Sequence, residues 1–163
     1  MGKWEMFREL RRKKQAMTKE ECLAVLKNEK RGVLCVLGDD DYPYGVPIDF
    51  VYCEDSGTIC FHGSKAGHKI DAIKKHDKVS LCVYDEGYRN DGEWFLNFKS
   101  VIIFGRIRIV EDHERTLEIC RRLTYKFISD DDYIKEELRK YGNAVQCLEL
   151  IPEHISGKTI REK

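Results

Sequence analysis

The chain has 163 residues, with 29 Lys+Arg balancing 29 Asp+Glu, 42% hydrophobic residues, seven cysteines and three prolines. A chain of that length buries roughly 70% of its unfolded surface, enough for a core without staples, so a single domain over residues 1–163 is expected. Zero net charge argues against a general nucleic-acid binder, which needs an excess of Lys and Arg to neutralise phosphates. The longest apolar run, Val33 to Leu37, is far short of the roughly twenty residues a bilayer span requires, so no membrane helix is expected.

The opening residues hold no apolar stretch of the kind a secretory signal carries. Charge is uneven there: residues 1–19 contain seven basic and two acidic side chains, a net +5. Residues 1–16 thus read as a basic arm, either solvated or lying as a clip on an acidic neighbour, or else binding phosphate or nucleic acid.

Thr18-Lys-Glu-Glu21 predicts a helix start, because Thr18 and Glu21 satisfy each other's orphan amides in a capping box. Met17 and Cys22 stand at the positions of a hydrophobic staple. Residues 32–38 then form a short apolar strand, ended by three aspartates. Residues 44–53 alternate as one strand, which Pro47 confines to an edge or a bulge. A turn at 54–57 leads into a strand over 58–63, and further strands are predicted over 78–84 and 99–110. Asp112 caps a helix bearing Thr116, Cys120, Leu123 and Phe127 on one face, and a second helix covers about 132–141. A last strand runs from Ala144 to Ile151, where Pro152 stops it. Six strands joined by short turns predict a mainly β fold, an antiparallel barrel with peripheral helices.

The seven cysteines are odd in number, evenly spread, mostly within apolar segments and without a CxxC pair. They read as free, buried residues of a reducing cytoplasm rather than as a zinc site. Cys60 and His62 share a strand face, but no third metal ligand is evident.

Chemistry concentrates in Phe61-His-Gly-Ser-Lys-Ala-Gly-His-Lys69, where a strand runs out into a glycine-containing turn and a helix begins near His68. Glycines let backbone approach a ligand, and a helix start presents free amides. Ser64 adds a hydroxyl, while Lys65, His68 and Lys69 add positive charge, so the segment suits a phosphate. An ordinary polar turn accounts for the same residues, since neither a Walker loop nor a GxGxxG fingerprint is present.

Four segments carry a resemblance: Arg11-Arg-Lys-Lys-Gln-Ala-Met-Thr18, Asp39-Asp-Asp-Tyr-Pro-Tyr-Gly-Val-Pro-Ile48, Phe61-His-Gly-Ser-Lys-Ala-Gly-His-Lys-Ile-Asp71 and Ser100-Val-Ile-Ile-Phe-Gly-Arg106. Together, in this order, they resemble the nitroimidazole-resistance branch of the pyridoxamine 5′-phosphate oxidase-like flavoproteins, over about residues 6–158. The resemblance implies a six-stranded antiparallel split β-barrel that binds FMN, and a homodimer with the flavin in a cleft between subunits. It places the FMN phosphate on Gly63, Ser64, Lys65, Gly67, His68 and Lys69. Pro47, Ile48 and Asp49 would lie along the ring and ribityl chain, with Ser100 and Val101 facing the flavin. His68 and Lys69 stand where oxidases of the wider family place an Arg-Lys pair, so part of the phosphate charge would depend on pH. His62 is the candidate catalytic proton donor, and residues 86–98 a candidate aromatic lid with Tyr88, Trp94, Phe95 and Phe98. The implied activity is an FMN-dependent oxidoreductase of the cytoplasm. It would pass electrons in two-electron steps, from NAD(P)H or another donor, to a small acceptor such as a 5-nitroimidazole. Alternatives are a flavin- or haem-binding sensor or store without turnover, and pyridoxamine phosphate oxidation. No counterpart of the oxidases' C-terminal substrate motif supports the latter. A nucleic-acid module using the basic arm is the remaining alternative.

Overall fold

The computed structural model describes residues 6–161. Helix α1 spans Lys19–Asn28, and the strands are β1 (Arg31–Leu37), β2 (Pro43–Asp49), β3 (Val51–Cys53) and β4 (Thr58–Gly63). After α2 (His68–Lys75) come β5 (Lys78–Tyr84) and β6 (Phe98–Ile109). The helices α3 (His113–Tyr125) and α4 (Asp131–Tyr141) lead to the final strand, β7 (Gln146–Ile160). Of the basic arm, residues 1–5 lie outside the described residues; Lys13–Gln15 makes one 3-10 turn, and Ala16 bridges to Lys158 of β7.

All seven strands belong to one antiparallel sheet in the order β2-β1-β5-β6-β7-β4-β3. The outermost two, β2 and β3, are consecutive in the chain with only Phe50 between them. The sheet therefore curls until its ends meet at that residue, giving the half-barrel of the split-barrel architecture. Seven strands replace the expected six because residues 44–53 do not run as one strand. The fully buried Phe50 leaves the ladder, and its N–H donates to the Lys30 carbonyl at 3.1 Å. Lys126, at the end of α3, pins this corner. Its ammonium lies 4.2 Å from the Phe50 ring centroid and donates to the carbonyls of Leu26, Glu29 and Phe50.

A second difference concerns Pro152, which does not end the last strand. Phe104 pairs with His154 and Gly105 with Pro152, so Glu153 is an extra residue in a β-bulge. A proline lacks the N–H for a ladder but is tolerated where the ladder is already interrupted. The opposing glycine is required by close approach: a Cβ at Gly105 would stand 2.2 Å from the Ile151 carbonyl oxygen.

The capping box forms as expected, with Thr18 Oγ1 accepting from Glu21 N and Glu21 Oε2 from Thr18 N. Asp112 likewise caps α3. The main core lies inside the curl, between alternate residues such as Leu34, Phe61, Leu81, Val101 and Leu150 and the apolar faces of α1 and α2. A second cluster lies outside β3, β4 and β7 under α3, and includes Cys53, Cys60, Cys120 and Cys147. All seven cysteines are free, but Cys35 and Cys82 are only half-buried and sit on the outer face of the sheet. No helix among the described residues is long and apolar enough to cross a membrane.

Candidate functional site

The turn after β4 carries the most distinctive local chemistry. Gly67 precedes α2 with a φ of 122°, a conformation that favours glycine, and no side chain caps the helix start. The first amides of α2 are thus left without a side-chain acceptor, which makes the helix start receptive to an anion. Ser64 Oγ donates to the Ala66 carbonyl at 2.7 Å, folding the turn onto itself. Lys65 points away, donating to the Asn143 carbonyl at 2.7 Å.

Lys69 returns over the turn. Its ammonium would stand 3.3 Å from a Cβ placed on Gly63, so the missing side chain there leaves it room. Among the described residues Lys69 has no hydrogen bond or ion pair, and burial pushes its pKa below the ordinary lysine value. His62 adjoins it on β4. Burial holds the imidazole below its ordinary pKa, Asp49 pulls it upward, and Lys69 pushes it further down. Asp49, His62 and Lys69 are thus gathered at one place although they come from β2, β4 and α2.

The remaining expected residues divide by strand face. Pro47 and Asp49 point outward, whereas Ile48 is buried in the core between them. Asp49 accepts from Arg31 Nε at 2.7 Å across the β1–β2 pair. On β6, Val101 is wholly buried and Ser100 faces outward, since neighbours on a strand alternate. Ile48 and Val101 thus meet an external ligand only through their backbones. Ser100 lies between Tyr84 and Lys158.

His68 is turned elsewhere. Its Nε2 accepts the Asp39 N–H at 3.2 Å, and its ring stacks on Tyr44 with centroids 4.3 Å apart. It anchors the turn after β1 to α2, a partnership that only the strand register brings about. The segment 86–98 is closed into a hairpin by a bridge between Tyr88 and Asn97, and Trp94 at its tip is 80% exposed.

Two further features were not evident in the sequence. The first is an outward apolar row, Pro47–Val33–Cys82–Ile102–Ser156, running across four neighbouring pairs of strands. A second row adjoins it, Gly45–Cys35–Ser80–Phe104–His154. The helices α1 and α2 pack into the main core and α3 over β3, β4 and β7, so they leave these rows uncovered. Phe7 of the N-terminal arm, however, stacks on Phe104 and His154 at the end of the second row, with ring centroids 5.7 and 4.8 Å apart. Alternation in β1 and β5 displays the apolar outward positions, but only in retrospect: a strand apolar on both faces reads as core. The other is a buried carboxylate, Glu149. It accepts from Thr58 Oγ1 (2.9 Å), Arg115 Nη2 (2.8 Å) and Arg108 Nη2 (2.6 Å). A lone acid within Cys147-Leu-Glu-Leu-Ile151 was its signal.

The model of a protein family described as "Pyridoxamine 5′-phosphate oxidase" matches residues 18–159. The chain belongs to this family. No curated protein sequence matches it. Among solved structures, a conserved hypothetical protein of Mycobacterium tuberculosis aligns with a TM-score of 0.78 at 16% identity, over 92% of this chain and 90% of that one. A candidate 5-nitroimidazole antibiotic resistance protein of Bacteroides thetaiotaomicron gives 0.73 at 16% identity, over 88% and 86%. An FAD-binding protein of Mycobacterium smegmatis gives 0.60 at 20% identity, over 90% and 99%. At such identities the likeness is one of fold.

Proposed function

We propose that the protein is a flavin-dependent oxidoreductase that binds FMN at the start of α2 and works as a homodimer. The observation that carries this reading is the Lys69 ammonium, half-buried, without an anionic partner among the described residues, and set beside the uncapped start of α2. A cation at a helix N-terminus is mildly unfavourable by itself. A phosphate between the two removes that conflict, since it accepts from both. The family's membership and the FAD-binding relative support a flavin as the phosphate's bearer.

When bound, the flavin supplies the two-electron transfer, and the protein supplies position and water exclusion. Lys69, the Ser64 hydroxyl and the α2 amides hold the phosphate. Pro47 and Asp49 line the path outward from it, and Arg31 keeps the Asp49 carboxylate oriented. His62, its pKa depressed, stays neutral near pH 7 and donates a hydrogen bond through its single N–H rather than acting as a cationic acid. The outward apolar residues Pro47, Val33, Cys82 and Ile102, beyond the part that Phe7 covers, favour a second copy of the chain as the cover of the flavin ring, since contiguous apolar surface of this kind marks an interface. A small nitroaromatic such as a 5-nitroimidazole is the acceptor we favour, reduced in the cytoplasm by electrons from NAD(P)H.

The visible absorption spectrum of the purified protein is the direct test. A two-banded flavin spectrum that bleaches with NAD(P)H and recovers with a nitroimidazole is expected. A single intense Soret-type band, or a flavin inert to every donor and acceptor, would overturn the reading in favour of a haem protein or a sensor.

A further inference from the structure

The helices α3 and α4 flank an open cleft of about 350 Å³ that the flavin reading does not use. On α3 its wall is formed by His113, Leu117 and Arg121, which recur every four residues and so share one face. On α4 it is formed by Lys135, Leu138 and Arg139. Leu117 and Leu138 supply its apolar surface and its charged lining is cationic, with no carboxylate among the lining residues. These cations are unequally committed. Arg139 is forked onto Glu136 at 2.8 and 3.0 Å, and Lys135 reaches Asp132 only at 3.8 Å. Arg121 is exposed and makes no hydrogen bond or ion pair among the described residues.

The end of the cleft is set by Gly142 and Asn143. The Asn143 carbonyl is the group that accepts from Lys65, so one lysine side chain links the end of the cleft to the turn that carries Ser64 and Lys69. An apolar surface suits a planar ring, and a free guanidinium recognises phosphate in a fork and also stacks on ring faces. The volume lies at the lower end of the roughly 300–1,000 Å³ of small-molecule sites, so it suits one nucleotide rather than two.

We infer that the α3–α4 cleft binds a nucleoside 5′-phosphate, its base over Leu117 and Leu138 and its phosphate on Arg121 and Lys135. Two sources share this chemistry: the adenylate half of a dinucleotide flavin whose flavin half sits on the Lys69 turn, and the adenylate half of a pyridine dinucleotide donor.

The test is calorimetric titration of the full chain, loaded with FMN, with 5′-AMP. Saturable binding is expected, weakened at least fivefold by Arg121→Ala, by a smaller factor in Lys135→Ala, and by raising the salt. FMN affinity is expected to stay unchanged in both variants. FAD binding more tightly than FMN, with the advantage lost in Arg121→Ala, identifies the flavin's own adenylate. Equal affinities, with NADPH displacing AMP, identify the donor's. No heat with millimolar AMP, or binding indifferent to Arg121→Ala, would overturn the inference. Absence of flavin binding with AMP binding intact would overturn the flavin reading alone.

Discussion

Two places in this molecule draw basic side chains toward the sheet, and they differ in what those side chains meet. Around Glu149, whose side chain is only 3% exposed, two arginines and Thr58 converge on one carboxylate. The cluster extends through Arg115 to Glu118 and from Glu118 through Arg122 to Asp55. Every charge there has its opposite, and α3 is fastened to β4 and β7. At the start of α2, Lys69 is also withdrawn from water but, among the described residues, forms no ion pair or hydrogen bond and stands beside His62 and Gly63. A charge answered within the protein contributes to holding the fold. One left unanswered is available to a ligand, and its desolvation is the cost of that readiness.

Substitutions on the two sides are expected to separate stability from binding. The largest effect falls on the satisfied cluster. Replacing Glu149 with Ala leaves Arg115 with Glu118 as its only carboxylate and Arg108 with none. Breaking a wholly buried pair costs about 3–5 kcal/mol. This partly open one is expected at about 2–3 kcal/mol, since Arg115 keeps Glu118 and Arg108 reaches water. Denaturant unfolding measures it, and a loss below about 1 kcal/mol would mean that the cluster is held mainly by its apolar surroundings. Lys69→Met is expected to do the reverse. FMN affinity falls at least tenfold, about 1.4 kcal/mol, while the unfolding free energy of the flavin-free protein stays the same or rises. A destabilised variant with unaltered affinity would make Lys69 a structural residue.

Ser64→Ala sits next in size, because Ser64 already spends its proton on the Ala66 carbonyl. A two- to fivefold loss of FMN affinity is expected, of the order of a neutral hydrogen bond's ~1 kcal/mol or less. The smallest effect is electrostatic. In Lys69→Met the His62 pKa is expected to rise and in Asp49→Asn to fall, followed by NMR titration of the imidazole. The sign for stability follows. The folded protein holds His62 neutral more firmly than the unfolded chain does. That contribution is present above the unfolded value of about 6.5 and is lost as the pH falls through the lower folded value. Lys69→Met narrows that window.

What could be read from the sequence was whatever a few neighbouring residues decide. The capping box at Thr18 and Glu21, the cap at Asp112 and the turn around Gly63 to Gly67 each follow from side chains and backbone within one turn of each other. The bounds of β4 and β5 also came out as expected, because apolar runs closed by turns are local signals. What escaped depends on register. The partner of Asp49 is Arg31 only because β1 and β2 align so, and His68 meets the turn at Asp39 only because α2 crosses its end. Pro152 misled for the same reason: it breaks a strand by local rule, but the bulge opposite Gly105 gives it a place without a donor. Phe50 is the converse, an apolar residue that fits the alternation yet turns the chain because the core claims it.

The corner at Phe50 has a bearing on solubility during folding. A sheet whose two ends are joined through the backbone still has outer rims, and unpaired strand rims recruit other chains. Here each rim is a poor template in its own way. The β2 rim carries Pro43 and Pro47, which lack amide donors, and β3 is only three residues long. The distal half of β7 extends beyond its pairing with β4, which ends at Leu150, and there Met17 N donates to the Gly157 carbonyl at 2.9 Å. The segment leading into α1 therefore also caps an otherwise adhesive strand, and shortening the chain through Met17 would uncover it.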